Sequence, residues 1–190
     1  MFTIEHFKQL NYAYLADKIN SISLKNSSEH ITNDLYRSYY LKNAGSEHYK
    51  LLAFFSTLFN DCQLFDIGTH IGGSSIAMSY NPKNIVVSYD IINCRELRNP
   101  PKNIMYEVGD FRLDSDLLNS PFIFIDADHN GKDEWEFHNF FLSKRYKGVI
   151  FWDDIHLNSE MKYFWSLVTN EKYDLTRLGH ETGTGMIFYA

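Results

Sequence analysis

Two acid–histidine segments stand out in the second half of the sequence: Asp126-Ala127-Asp128-His129 and Asp153-Asp154-Ile155-His156. Each follows directly on an apolar run, PFIFI in the first case and GVIFW in the second. If those runs are neighbouring strands, their ends bring Asp126, Asp128, Asp153 and Asp154 together. Carboxylates crowded at one sheet edge repel unless they are protonated or bridged by a cation. Oxygen ligands of this kind suit Mg²⁺, Mn²⁺ or Ca²⁺ rather than a thiolate-seeking metal. A histidine beside them, with an ordinary pKa of about 6.5, can take a proton near neutral pH. The plainer alternative is that these residues only cap the helices that follow.

A second set of acids closes three earlier apolar runs. The first run ends in Asp66-Ile67-Gly68-Thr69-His70-Ile71-Gly72-Gly73-Ser74. Glycines there let the chain turn sharply and bring backbone against a ligand. The dinucleotide pattern GxGxxG is not met, because His70 replaces its second glycine and should crowd a diphosphate. A phosphate-free ligand tolerates that side chain better. Asp90 closes the second run roughly twenty positions after Asp66, where an acid can accept hydrogen bonds from ribose hydroxyls. The third run ends at Gly109-Asp110-Phe111, where a carboxylate can take an adenine amino group while the ring packs on it. Taken singly, each acid is as well explained by a solvated strand end or a helix cap. Three in succession favour a nucleoside site.

The elements that must position these residues follow from the hydrophobic pattern. Phe2, Ile4, Phe7, Leu10, Tyr14 and Leu15 recur at helical spacing, which predicts a helix over residues 3–19. SLKNSSEH reads as a loop, residues 31–42 as a second helix, and Ser46 as the N-cap of a third. The texture then changes to short apolar runs, QLFDIG, NIVVSYDI, NIMYEVGD, PFIFIDAD and KGVIFWDD. Runs of this length suit strands buried on both faces, as in a parallel sheet. Helical stretches are expected between them at 74–80, 94–97, 131–144 and 158–170, giving βαβ alternation. KYDLTRLG and GTGMIFYA leave no room for a helical crossover, so they should form an antiparallel pair.

The 190 residues suit one core-forming domain. The net charge of −6 comes without a basic stripe, which argues against binding to a nucleic acid duplex. Cys62 and Cys94 are too few for a disulfide framework, and no apolar stretch approaches the length of a membrane span. The opening residues lack a signal-peptide layout, so a cytoplasmic setting is expected.

FDIGTHIGGSS, VVSYDI and EVGDF resemble the successive cofactor motifs of class I S-adenosylmethionine-dependent methyltransferases, most nearly those of the small O-methyltransferase-like group. The resemblance spans roughly residues 46–190. It implies a Rossmann-like three-layer α/β sandwich whose mostly parallel seven-stranded sheet ends in an antiparallel C-terminal hairpin. Residues 1–45 would then be a helical extension serving as a lid or as the surface of a homodimer. By the same resemblance Asp66, Gly68, Thr69, Gly72 and Ser74 surround the methionine moiety, Asp90 the ribose, and Asp110 and Phe111 the adenine. GSEHYKLL resembles the helix before the first motif, with Glu47 and His48 turned towards the cofactor. Some members of the family hold a divalent cation, Mg²⁺ or another, with an acid ending the fourth strand and an acid or acid–amide pair ending the fifth; Asp126, Asp153 and Asp154 fit that pattern, with Asp154 standing where the catechol-type enzymes have Asn. A catalytic Lys or His stands three positions after the fourth-strand acid, which is His129 here and looks more like the sugar-modifying branch. The function implied is O-methylation of a small hydroxylated acceptor such as a sugar. A silent cofactor-binding module, a metal-dependent hydrolase using the same acids and, last, a nicotinamide oxidoreductase are the competing readings.

Overall fold

The computed structural model describes residues 12–190, together with Glu5, Phe7 and Gln9 ahead of them. Seven strands form one sheet: β1 (Gln63–Ile67), β2 (Ile85–Asp90), β3 (Ile104–Val108), β4 (Phe122–Ile125), β5 (Gly148–Asp153), β6 (Lys172–Asp174) and β7 (Thr184–Tyr189). Their order across the sheet is β3-β2-β1-β4-β5-β7-β6. The first five run parallel, β7 runs antiparallel to β5, and β6 pairs antiparallel with β7. The expected parallel sheet and its reversed terminal pair are both present.

Side chains alternate across the sheet and so build two cores. Leu64, Val86, Phe122, Phe124, Phe151 and Met186 pack on one face with α1 (Tyr12–Ser21), α3 (Tyr49–Ser56) and α4 (Gly73–Met78). Phe65, Val87, Ile123, Ile150, Trp152 and Ile187 pack on the other with α5 (Lys132–Ser143) and α6 (Ser159–Leu167). All four residues of β4 are buried, which is why this strand reads as an unbroken apolar run. Each large side chain withdrawn from water in these layers contributes about 1.5–3 kcal/mol.

The predicted first helix survives as α1, with Leu15 and Ile19 buried in the same core as the sheet; Phe2, Ile4 and Leu10 lie outside the described residues. The second is α2 (Asp34–Tyr40), whose N-cap Asn33 accepts hydrogen bonds from the Leu35 and Tyr36 amides. Within SLKNSSEH a 3-10 turn forms at Ser27–His30. The third helix begins at Tyr49 with His48 in the capping position, two residues beyond the expected cap Ser46. One element is corrected outright. Residues 94–97 are not helical: Leu97 forms an antiparallel bridge with Ile31 and packs its side chain over Gly72. That tertiary contact overrides a weak local helical pattern.

Order reverses between β1 and β4, and the chain is tight there. The Asp126 amide donates to the Ile67 carbonyl at 2.8 Å, and Gly68 has a φ of +96°. A Cβ on Gly68 would stand 1.7 Å from the Asp126 carbonyl oxygen. We therefore expect Gly68→Ala to cost about 2–4 kcal/mol, a melting temperature lower by roughly 5–15 °C, because left-handed strain and a backbone clash add. An unchanged melting temperature in differential scanning calorimetry would contradict this packing.

On the other face, buried His138 shares a 2.6 Å hydrogen bond with the Tyr189 hydroxyl. Burial, aided by Lys172, pulls its pKa down to about 4. The unfolded chain therefore binds this proton more readily than the folded one, so stability is full above pH 6.5 and drains as pH falls towards 4. Urea unfolding at pH 7 and pH 5 should show a loss about 2 kcal/mol smaller in His138→Gln than in the parent. Equal losses would refute the assignment.

Candidate active site

The carboxyl ends of β1 to β4 border a cleft of about 400 Å³. Gly68, Asp90, Gly109, Phe111, Asp126, Asp128 and His129 all line it. One cavity thus joins the expected nucleoside site to the expected reacting groups.

At the nucleoside end, Asp90 accepts from the His70 amide at 2.8 Å through Oδ2 and from the Ile92 amide at 3.2 Å through Oδ1. A carboxylate has about four acceptor positions, so these bonds orient Asp90 and still leave capacity for two hydroxyls. His70 has a φ of +43°, and its ring meets Tyr36 of α2 edge-on at 5.4 Å. Phe111 meets Phe137 of α5 edge-to-face at 5.0 Å, and both rings line the cleft. Gly109 has a φ of +149° with nothing within 4 Å of a notional Cβ, so its missing side chain leaves ligand space open.

Other predicted cofactor residues stand behind this wall. Asp66 is fully buried: Thr69 Oγ1 lies 2.7 Å from Ser88 Oγ, and Ser88 Oγ donates to Asp66 Oδ2 at 2.7 Å. Asp66 Oδ1 makes no hydrogen bond, and burial pushes this carboxyl up to about 7 against the pull of Ser88 and Ser74. Gly72 opens α4 in a left-handed conformation, and Ser74 is buried in that helix. Asp110 is turned aside from the cleft. Its carboxylate receives Nε and Nη2 of Arg112, each at 2.8 Å at closest, and that guanidinium lowers its pKa.

At the other end the acids are interleaved with histidines. His129 has a φ of +53°, and its amide donates to buried Glu134 Oε1 at 2.8 Å while its carbonyl accepts from Asn158 Nδ2. Its Nε2 lies 3.1 Å from Asp126 Oδ1 and 3.6 Å from Asp154 Oδ2. Burial pulls the ring's pKa down, but Asp126 and then Asp154 and Asp153 outweigh that and set it at about 9. Burial and the Asp153 charge raise Asp126. Asp153, only 3% exposed, stays ionised despite its burial because His48 and His180 hold it below the usual carboxylate range.

His180 was not singled out from the sequence, nor was Thr182. They belong to the loop between β6 and β7. Because β7 is antiparallel to β5, its first residue, Thr184, pairs with the last residue of β5, Asp153. The loop just before Thr184 is therefore delivered to the acids. His180 Nδ1 lies 3.3 Å from Asp153 Oδ2 and 3.1 Å from Asp154 Oδ1, and the Thr182 hydroxyl donates to Asp154. Burial lowers the His180 pKa, but Asp153 and Asp154 more than reverse this, to about 11. His48 comes in from the start of α3, with Nδ1 3.2 Å from Asp153 Oδ2. Glu47 Oε2 lies 3.7 Å from His180 Nε2, so the predicted Glu47–His48 pair faces the acids rather than the nucleoside end.

No family model matches the sequence, and no curated protein matches it. Solved structures do match. A Podospora anserina methyltransferase bound to S-adenosylhomocysteine is 11% identical with a TM-score of 0.52, covering 100% of this chain and 97% of its own. A candidate caffeoyl-CoA O-methyltransferase from Staphylococcus aureus is 12% identical at 0.54, covering 98% and 96%. A methyltransferase from Geobacter sulfurreducens is 12% identical at 0.53, covering 94% and 96%. At these identities the likeness is one of architecture: the chain has the seven-stranded Rossmann-like fold that these methyltransferases share.

Proposed function

We propose that this chain is a methyltransferase that uses S-adenosylmethionine to methylate a hydroxyl of a small acceptor such as a sugar. The observation that carries the reading is that one cleft is lined by Asp90, Gly109 and Phe111 together with Asp126 and His129.

The residues present suit the cofactor. Asp90 keeps acceptor positions for ribose hydroxyls, Phe111 and Phe137 offer aromatic faces to adenine, and Gly109 leaves room for it. Asp66, Thr69, Gly72 and Ser74 build the first turn, against which the methionine moiety would lie. Asp110 reaches adenine only by giving up part of its pairing with Arg112. When bound, the sulfonium supplies an electrophilic methyl group: its S–CH₃ bond breaks as an O–CH₃ bond forms, and the thioether leaves.

The protein's own part is alignment and proton removal. His129, on a loop fixed by Glu134 and Asn158, takes the acceptor's proton. With its pKa at about 9 the ring is free to do so only when the neighbouring acids are balanced by another charge. A divalent cation at the acid end, with Asp126, Asp153 and Asp154 around it, would supply that balance and lower the pKa of the acceptor hydroxyl. Residues 46–190 make up the cofactor domain and residues 1–45 extend it; the described part of that extension joins the sheet's core through Leu15, Ile19 and Tyr40, and Tyr36 of α2 meets His70. Among the described residues no helix is long and apolar enough to cross a membrane, which accords with a cytoplasmic enzyme.

Calorimetry with S-adenosylmethionine, S-adenosylhomocysteine and NAD separates this reading from its rivals. We expect the first two to bind and NAD not to; preference for NAD would sink the proposal. Asp90→Asn should weaken S-adenosylhomocysteine by about 10- to 100-fold, the worth of charge-assisted hydrogen bonds. His129→Ala should lower kcat by roughly 10²–10⁴-fold while the dissociation constant of S-adenosylhomocysteine stays within about threefold. Cofactor binding with no turnover over a panel of hydroxylated acceptors would instead support a silent binding module.

A further inference from the structure

We propose that His48, Asp153 and His180 form a site for one divalent transition-metal ion of the Zn²⁺, Fe²⁺ or Co²⁺ type. This deepens the cation part of the reading above and does not depend on the identity of the methyl acceptor.

Each of the three residues offers a ligand atom, and these atoms lie within 4.8 Å of one another. Nδ1 of His48 and Nδ1 of His180 stand 3.2 Å and 3.3 Å from the same oxygen, Oδ2 of Asp153. Ligands about 2.1 Å from a shared ion are roughly 3.0 Å apart in an octahedron and 3.4 Å apart in a tetrahedron. The two N–O spacings are those of neighbouring positions around one ion; His180 Nδ1 also lies 2.9 Å from the Thr182 hydroxyl and would exchange that contact for the ion.

His48 supplies the independent observation. It is 3% exposed, wedged against Phe124, Tyr49 and His180 at ring distances of 4.9, 4.5 and 5.6 Å. Neither of its ring nitrogens makes a hydrogen bond; the 3.2 Å approach to Asp153 lacks the geometry of one. A buried imidazole without such a bond bears the cost of its own desolvation, which coordination of Nδ1 would offset. Surrounding bonds also hold the other two ligands in place. The Thr184 hydroxyl donates to Asp153 Oδ1 at 3.3 Å, and the His180 amide donates to the same hydroxyl at 2.9 Å. Outer bonds of this kind orient metal ligands.

The donor set decides the class of ion. Two imidazoles and one carboxylate suit Zn²⁺, Fe²⁺, Co²⁺ or Ni²⁺, whereas Mg²⁺ and Ca²⁺ prefer oxygen alone. Among the described residues the group whose ligand atoms converge is His48, Asp153 and His180, which shares Asp153 with the acids expected from the sequence. Asp154 lies beside it, 3.1 Å from His180 Nδ1, and Asp126 pairs with His129. Three protein ligands leave positions open for a water or an acceptor oxygen.

The test uses the full-length, untagged chain freed of metal by chelator and titrated with Co²⁺ and with Zn²⁺. We expect visible d–d absorption that saturates at one Co²⁺ per chain, is abolished by Zn²⁺ and is unaffected by a large excess of Mg²⁺. His180→Ala, in a loop, should weaken Co²⁺ by about 10- to 100-fold or more, and Asp153→Asn likewise. His48→Gln should do the same; should it fail to fold, the His180 variant decides. No saturable absorption in the parent, or affinity unchanged in His180→Ala, would overturn the site. So would Mg²⁺ competition at equal concentration, which would mark an all-oxygen centre. S-adenosylhomocysteine is titrated into the same samples: binding there without metal uptake removes only this inference, and metal uptake without that binding removes only the methyltransferase reading.

Discussion

Negative charge gathered at one end of the sheet is the constraint to which the rest of this molecule answers. Asp126 and Asp153 close adjacent parallel strands, Asp154 follows at once, and Asp153 and Asp154 are nearly out of contact with water. A buried carboxylate without compensation costs several kcal/mol, and three together would force protons onto the site or pull the strands apart. The chain answers with three imidazoles from three separate places: His48 ahead of α3, His129 after β4 and His180 before β7. None of these is a strand residue, so the countercharge depends on connections around the sheet being correctly closed.

The same end shows why some of the architecture could be read from the sequence and some could not. Continuous runs such as FIFI report burial on both faces, and the acids closing them mark strand ends, so the sheet and the position of Asp90, Asp126 and His129 could be inferred locally. The reversed last pair also followed from chain length, since no crossover fits between those segments. His180 escaped because its role depends on register: only after β7 is laid antiparallel to β5, with Thr184 opposite Asp153, does its loop meet the acids. Residues 94–97 failed for a related reason, as the bridge to Ile31 is made by a segment more than sixty positions earlier, beyond any local pattern. Phe137 was likewise invisible. It looks like any apolar helix residue until α5 turns it towards Phe111.

His70 shows how one residue can select a ligand through backbone as well as bulk. The sequence suggested crowding where a dinucleotide's phosphates would lie. In the structure His70 adopts a left-handed conformation, which a non-glycine residue reaches only at a cost of about 1–2 kcal/mol. The conformation points its amide at Asp90 and places its ring against Tyr36. The residue therefore orients the Asp90 carboxylate and ties the first turn to α2, two tasks a glycine could not combine.

The hairpin that returns β7 alongside β5 has one more implication, for the order in which the protein becomes competent during synthesis. The cleft draws on residues between Ile67 and Phe137, while the charge balance of Asp153 and Asp154 also requires His180 and Thr182, which follow later in the chain. A nascent chain emerging from the ribosome therefore presents its small-molecule cradle well before its charge-balanced end is complete. Until β7 docks against β5, Asp153 and Asp154 lack the contacts of His180 and Thr182.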